Sequence, residues 1–158
     1  MLLINEICNL INCEISELEN LLSVPFYREK IIQKFKGVWL KTTYKNRTGF
    51  QHEFQFDGLT IQGARSIRAY NNFLGVTVMQ HLYIRHRIIT KNSDLPCVIE
   101  TTANGETRYY PMEFLEVINK NSEVRIIPTA LQENVIYNIN GKSIRLLINK
   151  NNSLTIYF

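Results

Sequence analysis

From Phe50 to Phe56 the chain alternates without interruption. Phe50, His52, Phe54 and Phe56 fall on one side of an extended backbone, and Gln51, Glu53 and Gln55 fall on the other. Turn chemistry bounds this run at Lys45–Gly49 and at Asp57-Gly58, so it reads as one half-buried strand in a hairpin with the β-rich stretch Val38–Tyr44. The punctuation recurs downstream. Arg65–Tyr70 and Asn71–Gly75 predict a looser hairpin, and Leu95–Ile99 predicts a buried strand. Asn104-Gly105 turns the chain into Arg108–Tyr110, which ends at Pro111. In the tail, Asn140-Gly141 separates Val135–Ile139 from Ser143–Ile148, and a last strand is expected over Leu154–Phe158. Many short strands with few helices argue for a small barrel and against a bundle.

The helical signals are confined to three places. Met1–Leu22 is apolar at Leu3, Ile7, Leu10, Ile11, Ile15, Leu18, Leu21 and Leu22 and carries Glu6, Glu14, Glu17 and Glu19, which predicts one amphipathic acidic helix. Ser23-Val24-Pro25 breaks it. Phe26–Lys36 resumes the pattern with Ile31, Ile32 and Phe35 on one face and Gly37 placed to stop it. A short helix from Thr77 to about Arg85 has Thr77 as its cap and Val78 and Leu82 inward, leaving His81 and Arg85 together at i and i+4 on an exposed face.

At 158 residues the chain suffices for one core, divided as an N-terminal segment 1–25, a central domain 26–120 and a β-rich extension 121–158. The first segment lacks a signal peptide's basic start, and no apolar run approaches the roughly 20 residues that span a bilayer, so a soluble, cytoplasmic protein without a membrane partner is expected. Cys8, Cys13 and Cys97 form neither an even set nor a C-x-x-C spacing, and they read as buried thiols in a reducing compartment.

Charge is sharply divided. Twelve of eighteen Lys and Arg residues, but three of fourteen acidic ones, lie between Phe26 and Lys91, which gives that stretch about +9 and the remainder about −5. Aromatics and histidines are interleaved with those cations, the mixture of phosphate donors and flat rings that single-stranded nucleic acid requires. Catalysis is not expected. There is no G-x-S-x-G elbow, Cys97 sits in a buried-looking strand, the acidic residues lack paired spacing, and Gly58 and Gly63 read as turn residues and not as a phosphate loop. No cofactor or metal is implied: His81 and His86, at i and i+5, diverge by about 140° on a helix and would not chelate one ion.

Four ordered landmarks stand out: Gly37-Val38 through Tyr44, Thr77 through Arg87, Asp94-Leu95-Pro96-Cys97-Val98, and Tyr109-Tyr110-Pro111-Met112-Glu113. Together they resemble the PAZ domain of the Argonaute/Piwi family over roughly Phe26 to Asn119. The resemblance implies an α+β, mainly β fold: an OB-like small β-barrel with an inserted β-hairpin and helix. It implies a cleft that anchors the 3′ end of a small single-stranded guide RNA, or a short 3′ overhang, in RNA silencing. Partners would then include other Argonaute domains or silencing proteins. The family's nuclease chemistry belongs to a separate domain, which nothing here resembles, so the chain is expected to bind and not to cut.

Carried over by position, the RNA contacts implied are Tyr44 at the end of the first strand, Phe54 on the next, His81, Arg85 and His86 on and just after the inserted helix, and Arg108 and Tyr110. Tyr70 is the choice for the hairpin's stacking ring, with Phe73 second. His81 and His86 stand where many family members have Tyr. Other readings stay open: a packing role for Tyr44 and Phe54, a solvated face for Arg85 and Arg87, a core position for Trp39, and no assignment for His52. The rival function is a PAZ-like scaffold or protein-interaction module that has lost RNA binding.

Overall fold

A computed structural model describes residues 1–69 and 75–120 and the strand backbones at 135–139, 142–148 and 154–157. The chain divides into two compact units, 1–119 and 120–158.

The N-terminal segment forms two helices where one was expected. The first, α1 (Leu3–Ile11), buries Leu3, Ile4, Ile7 and Cys8 along one stripe and ends at Asn12, whose φ of 53° places it in the left-handed region that Asn tolerates. Glu14 then opens α2 (Ile15–Leu22) with a capping box, its backbone N–H donating to Glu17 Oε2 at 3.1 Å. Pro25 occupies the first turn of α3 (Pro25–Phe35), where its missing N–H costs nothing. Gly37, at φ 79°, turns the chain out of α3 and donates to the Phe56 carbonyl.

Strands β1 (Trp39–Lys45) and β2 (Gln51–Gln55) form the expected hairpin, with Leu40 opposite Phe54 and a register shift between Lys41 and Lys45. Phe54 and Phe56 are buried and His52 is half-buried, but Phe50 is 71% exposed because it belongs to the turn and not to the strand. There Asn46 Oδ1 accepts from the backbone N–H of both Thr48 and Phe50. The antiparallel order is β2-β1-β6, with β6 spanning Leu115–Val117.

A second antiparallel sheet has the order β3-β4-β5: Gly58–Gly63, Pro96–Thr101 and Thr107–Pro111. Strand β3 corrects the reading of Gly58 and Gly63 as turn residues, since they are its two ends. At Gly63 the reason for glycine is steric: a Cβ there would lie 2.6 Å from the carbonyl carbon of Asp94 and closer still to the Ser93 carbonyl oxygen. In place of the closed barrel that the resemblance implies, the described strands of this unit form two separate sheets. Arg28 of α3 caps β3, donating to the carbonyl oxygens of Leu59 and Thr60.

Helix α4 (Val78–His86) begins as expected, with Thr77 and Gln80 exchanging cap hydrogen bonds and Val78 and Leu82 buried. Before it, backbone bonds from Ala69 to Val76 and from Val78 to Ile67 bracket the predicted looser hairpin, whose residues 70–74 lie outside the described residues. Two cores result. Helices α1 to α3 pack on Leu40, Phe56, Val98 and Leu115, and α4 packs on Ala64, Ala69 and Cys97. Burial pushes the Cys97 thiol up to about 12, against a smaller lowering by the Thr60 hydroxyl, so it is held protonated and inert.

The second unit contains β7 (Val135–Ile139), β8 (Lys142–Ile148) and β9 (Leu154–Tyr157) in one antiparallel sheet of that order. Ile139 pairs with Lys142, as the hairpin expected around Asn140-Gly141 requires; those two residues lie outside the described residues.

Candidate nucleic-acid interface

Two side-chain groups form around the ends of β1 and β5. In the first, Tyr44, one residue from the end of β1, meets the ring of His86 at the end of α4, with centroids 4.6 Å apart. His86 meets His81 edge to face at 6.4 Å, and Phe114 closes on Tyr44 from the other side at 6.3 Å. The two histidines are therefore neighbours despite their diverging helical positions; α4 ends at His86, and Arg87 follows with a φ of 56°. Burial lowers the pKa of His81, and the charges of His86 and Arg85 lower it further. His86 is lowered by burial and then by Arg85. Arg85 itself is exposed, and the Arg87 guanidinium sits 5.8 Å from the centre of the Tyr83 ring.

The second group is built on β2, β4 and β5. Tyr110 stacks on Phe54 at 4.5 Å between centroids, and His52 lies nearly parallel to both. Phe54 is only 3% exposed, so it backs the Tyr110 ring and offers no open face. Beside these rings stands Glu100 of β4. It accepts from His52 Nε2 at 2.9 and 3.0 Å and from the Tyr110 hydroxyl at 2.7 Å. An ionised carboxylate only accepts, so His52 must carry its proton on Nε2. Burial alone would raise the Glu100 pKa. Hydrogen bonds from His52 and Tyr110, together with the charges of His52 and Arg108, outweigh it and hold the carboxyl below its ordinary range. Burial and the bond to Glu100 drive the Tyr110 pKa up, with a smaller contribution from Tyr44 that links the two groups.

Arg108 is exposed and lies directly opposite Glu100 in the β4–β5 register. Tyr70 and Phe73 lie outside the described residues. Trp39 is half-buried at the start of β1. Glu100 was missed from sequence, although its parity was a signal: it continues the inward phase of Pro96 and Val98 opposite an arginine. Among the described residues no cluster of three or more His, Cys, Asp or Glu side chains is placed to hold a metal ion, and no helix is long and apolar enough to cross a membrane.

These features define an α+β domain of two small antiparallel sheets with a helix inserted between β3 and β4, and the fold is that of an Argonaute PAZ domain. No protein-family model and no curated protein sequence matches the chain significantly. Solved structures do. A Drosophila Argonaute 2 PAZ domain studied for 3′-end recognition of nucleic acids matches at a TM-score of 0.56 and 17% identity, covering 76% of this chain and 94% of that one. A Drosophila Argonaute PAZ domain in complex with 3′-end 2′-O-methylated RNA matches at 0.60 and 15%, covering 76% and 98%. A third structure, of the Drosophila Argonaute 2 PAZ domain and its nucleic-acid binding, matches at 0.57 and 15%, covering 75% and 99%.

Proposed function

We propose that residues 26–120 form an RNA-binding module that anchors the 3′ end of a small single-stranded RNA, or a short 3′ overhang, and that 121–158 is an extension to it. The observation that carries this reading is the run of ring contacts from Tyr44 through His86 to His81, which brings the end of β1 and the basic end of α4 together. Rings supply surface for a terminal base, neighbouring Arg85 and Arg108 supply phosphate donors, and neutral histidines still donate one hydrogen bond each. In this reading the two sheets take the place of the OB-like barrel, and Tyr70 is the choice for the stacking ring. The role is binding and not catalysis. RNA silencing in the cytoplasm, alongside other Argonaute domains or silencing proteins, is the setting in which such a module acts.

The test is a fluorescence titration of the full chain with a short linear oligoribonucleotide and with the same sequence circularised. A linear strand bound at least about tenfold more tightly supports end recognition. Equal affinity removes the end from the account. Absence of binding to either strand favours the scaffold alternative.

A further inference from the structure

Two thiols meet where α1 ends. Asn12 takes the left-handed conformation there, and its backbone N–H and that of the next residue, Cys13, both donate to the Cys8 carbonyl, the second at 3.0 Å. A helix stop of this kind folds the side chain that follows the left-handed residue back onto the last turn, a contact usually made by two apolar residues. Here both are cysteines. The 3.0 Å bond between their own backbones keeps the two Cα atoms within about 7 Å, the limit for bridging two sulfurs. Cys8 is buried, whereas Cys13, packed against the same core, is half-buried and lines an open groove with Ser16, Asn20 and Tyr27. The Cys8 thiol is pushed up to about 11, by burial first and then by the charge and hydrogen bond of Cys13. Cys97, wholly buried in the other core, provides an inert reference within the same chain.

We propose that Cys8 and Cys13 form a redox modification site, at which a peroxide joins the two sulfurs in an intramolecular disulfide that staples the corner between α1 and α2. Cys13, the accessible member, reacts first. Its thiolate attacks one peroxide oxygen, the O–O bond breaks, hydroxide leaves, and Cys13 becomes a sulfenic acid. Cys8 then gives up its proton and attacks that sulfur; the S–O bond breaks and the oxygen leaves as water. The two thiols are oxidised by two electrons, and one peroxide is reduced to two waters. Conversion of Cys13 to the neutral sulfenic acid also removes the charge that opposes ionisation of Cys8. This inference does not depend on the RNA-binding reading.

The experiment exposes the reduced full chain to hydrogen peroxide, stops the reaction with catalase, alkylates the remaining thiols in denaturant, and weighs the tryptic peptides. Both cysteines fall in the peptide Met1–Arg28. The expected product is that peptide without alkyl groups and lighter by two hydrogen atoms, restored to two alkylated thiols by dithiothreitol, while Cys97 is consumed at least about tenfold more slowly. Cys8→Ser should leave Cys13 as a sulfenic acid that dimedone captures, and Cys13→Ser should leave Cys8 to be alkylated. Two alkylated thiols in Met1–Arg28 after peroxide, consumption of Cys97 at the same rate, or a disulfide joining two copies of the chain each overturns the site. The result on the unaltered chain does not depend on either variant folding.

Discussion

Replacing Tyr110 by Phe removes one oxygen and nothing else. The ring keeps its 4.5 Å stack on Phe54, and Glu100 keeps the bonds from His52. What is lost is a 2.7 Å hydrogen bond to an ionised and largely buried carboxylate. Bonds to charged groups contribute about 1.5–3 kcal/mol, and the remaining His52 donor places the expected cost toward the lower part of that range. With a urea slope of about 1–3 kcal/mol per molar, the unfolding midpoint should fall by about 1 M at pH 7. The sign of the pH dependence follows from Glu100. Its folded pKa lies below the ordinary 4.5, so its contribution is present above that value and is lost as pH falls through the folded pKa. The gap between Tyr110→Phe and the unaltered chain should therefore narrow as pH falls below 4.5 and through the folded pKa. Urea unfolding of the full chain, followed by tryptophan fluorescence over a series of pH values from 7 downward, measures both effects. A midpoint shift under about 0.2 M at pH 7, or one that grows as pH falls below 4.5, refutes the assignment of an ionised Glu100 held by Tyr110.

His81 and His86 both have lowered pKa values, from burial first; at His81 the charge of His86 and then that of Arg85 add to it, and at His86 the charge of Arg85 does. If they receive phosphates, RNA affinity should rise as pH falls below about 6.5, by about tenfold for each pKa unit that RNA restores. A flat profile from pH 7.5 to 5.5, or an unchanged slope in His81→Tyr/His86→Tyr, would remove them from the contact. With about three phosphates neutralised at a slope near −0.7 each, affinity should drop roughly twentyfold between 50 and 200 mM salt, and a salt-independent Kd would contradict a phosphate-led interface. Gly63→Ala should destabilise the fold by about 1–3 kcal/mol or more through the clash with the 93–94 backbone, whereas an alanine tolerated without loss in thermal melting would mean that this close approach is wrong.

Elements whose signals are local were legible before any coordinates. The β1–β2 hairpin, the Thr77 cap of α4, the Asn104-Gly105 turn and the strands at 135–157 depend on residues within a few positions of one another. Strand β3 was not legible, because its terminal glycines also satisfy turn chemistry and only the approach of the 93–94 backbone requires them. The break at Asn12 escaped for a similar reason: the apolar pattern runs through it, and the left-handed residue interrupts the backbone and not the periodicity.

The candidate site divides along the same line. Composition and the order of the landmarks placed the cations and rings in one stretch of chain, because charge and side-chain type are properties of the residues themselves. Which of them touch was decided by packing. His52 and Glu100 are 48 positions apart in the chain, and only the antiparallel register of two sheets sets a carboxylate against that imidazole and the Tyr110 hydroxyl. The burial that makes its charge consequential exists only in the folded molecule, where His52 and Tyr110 take the place of water at the carboxylate.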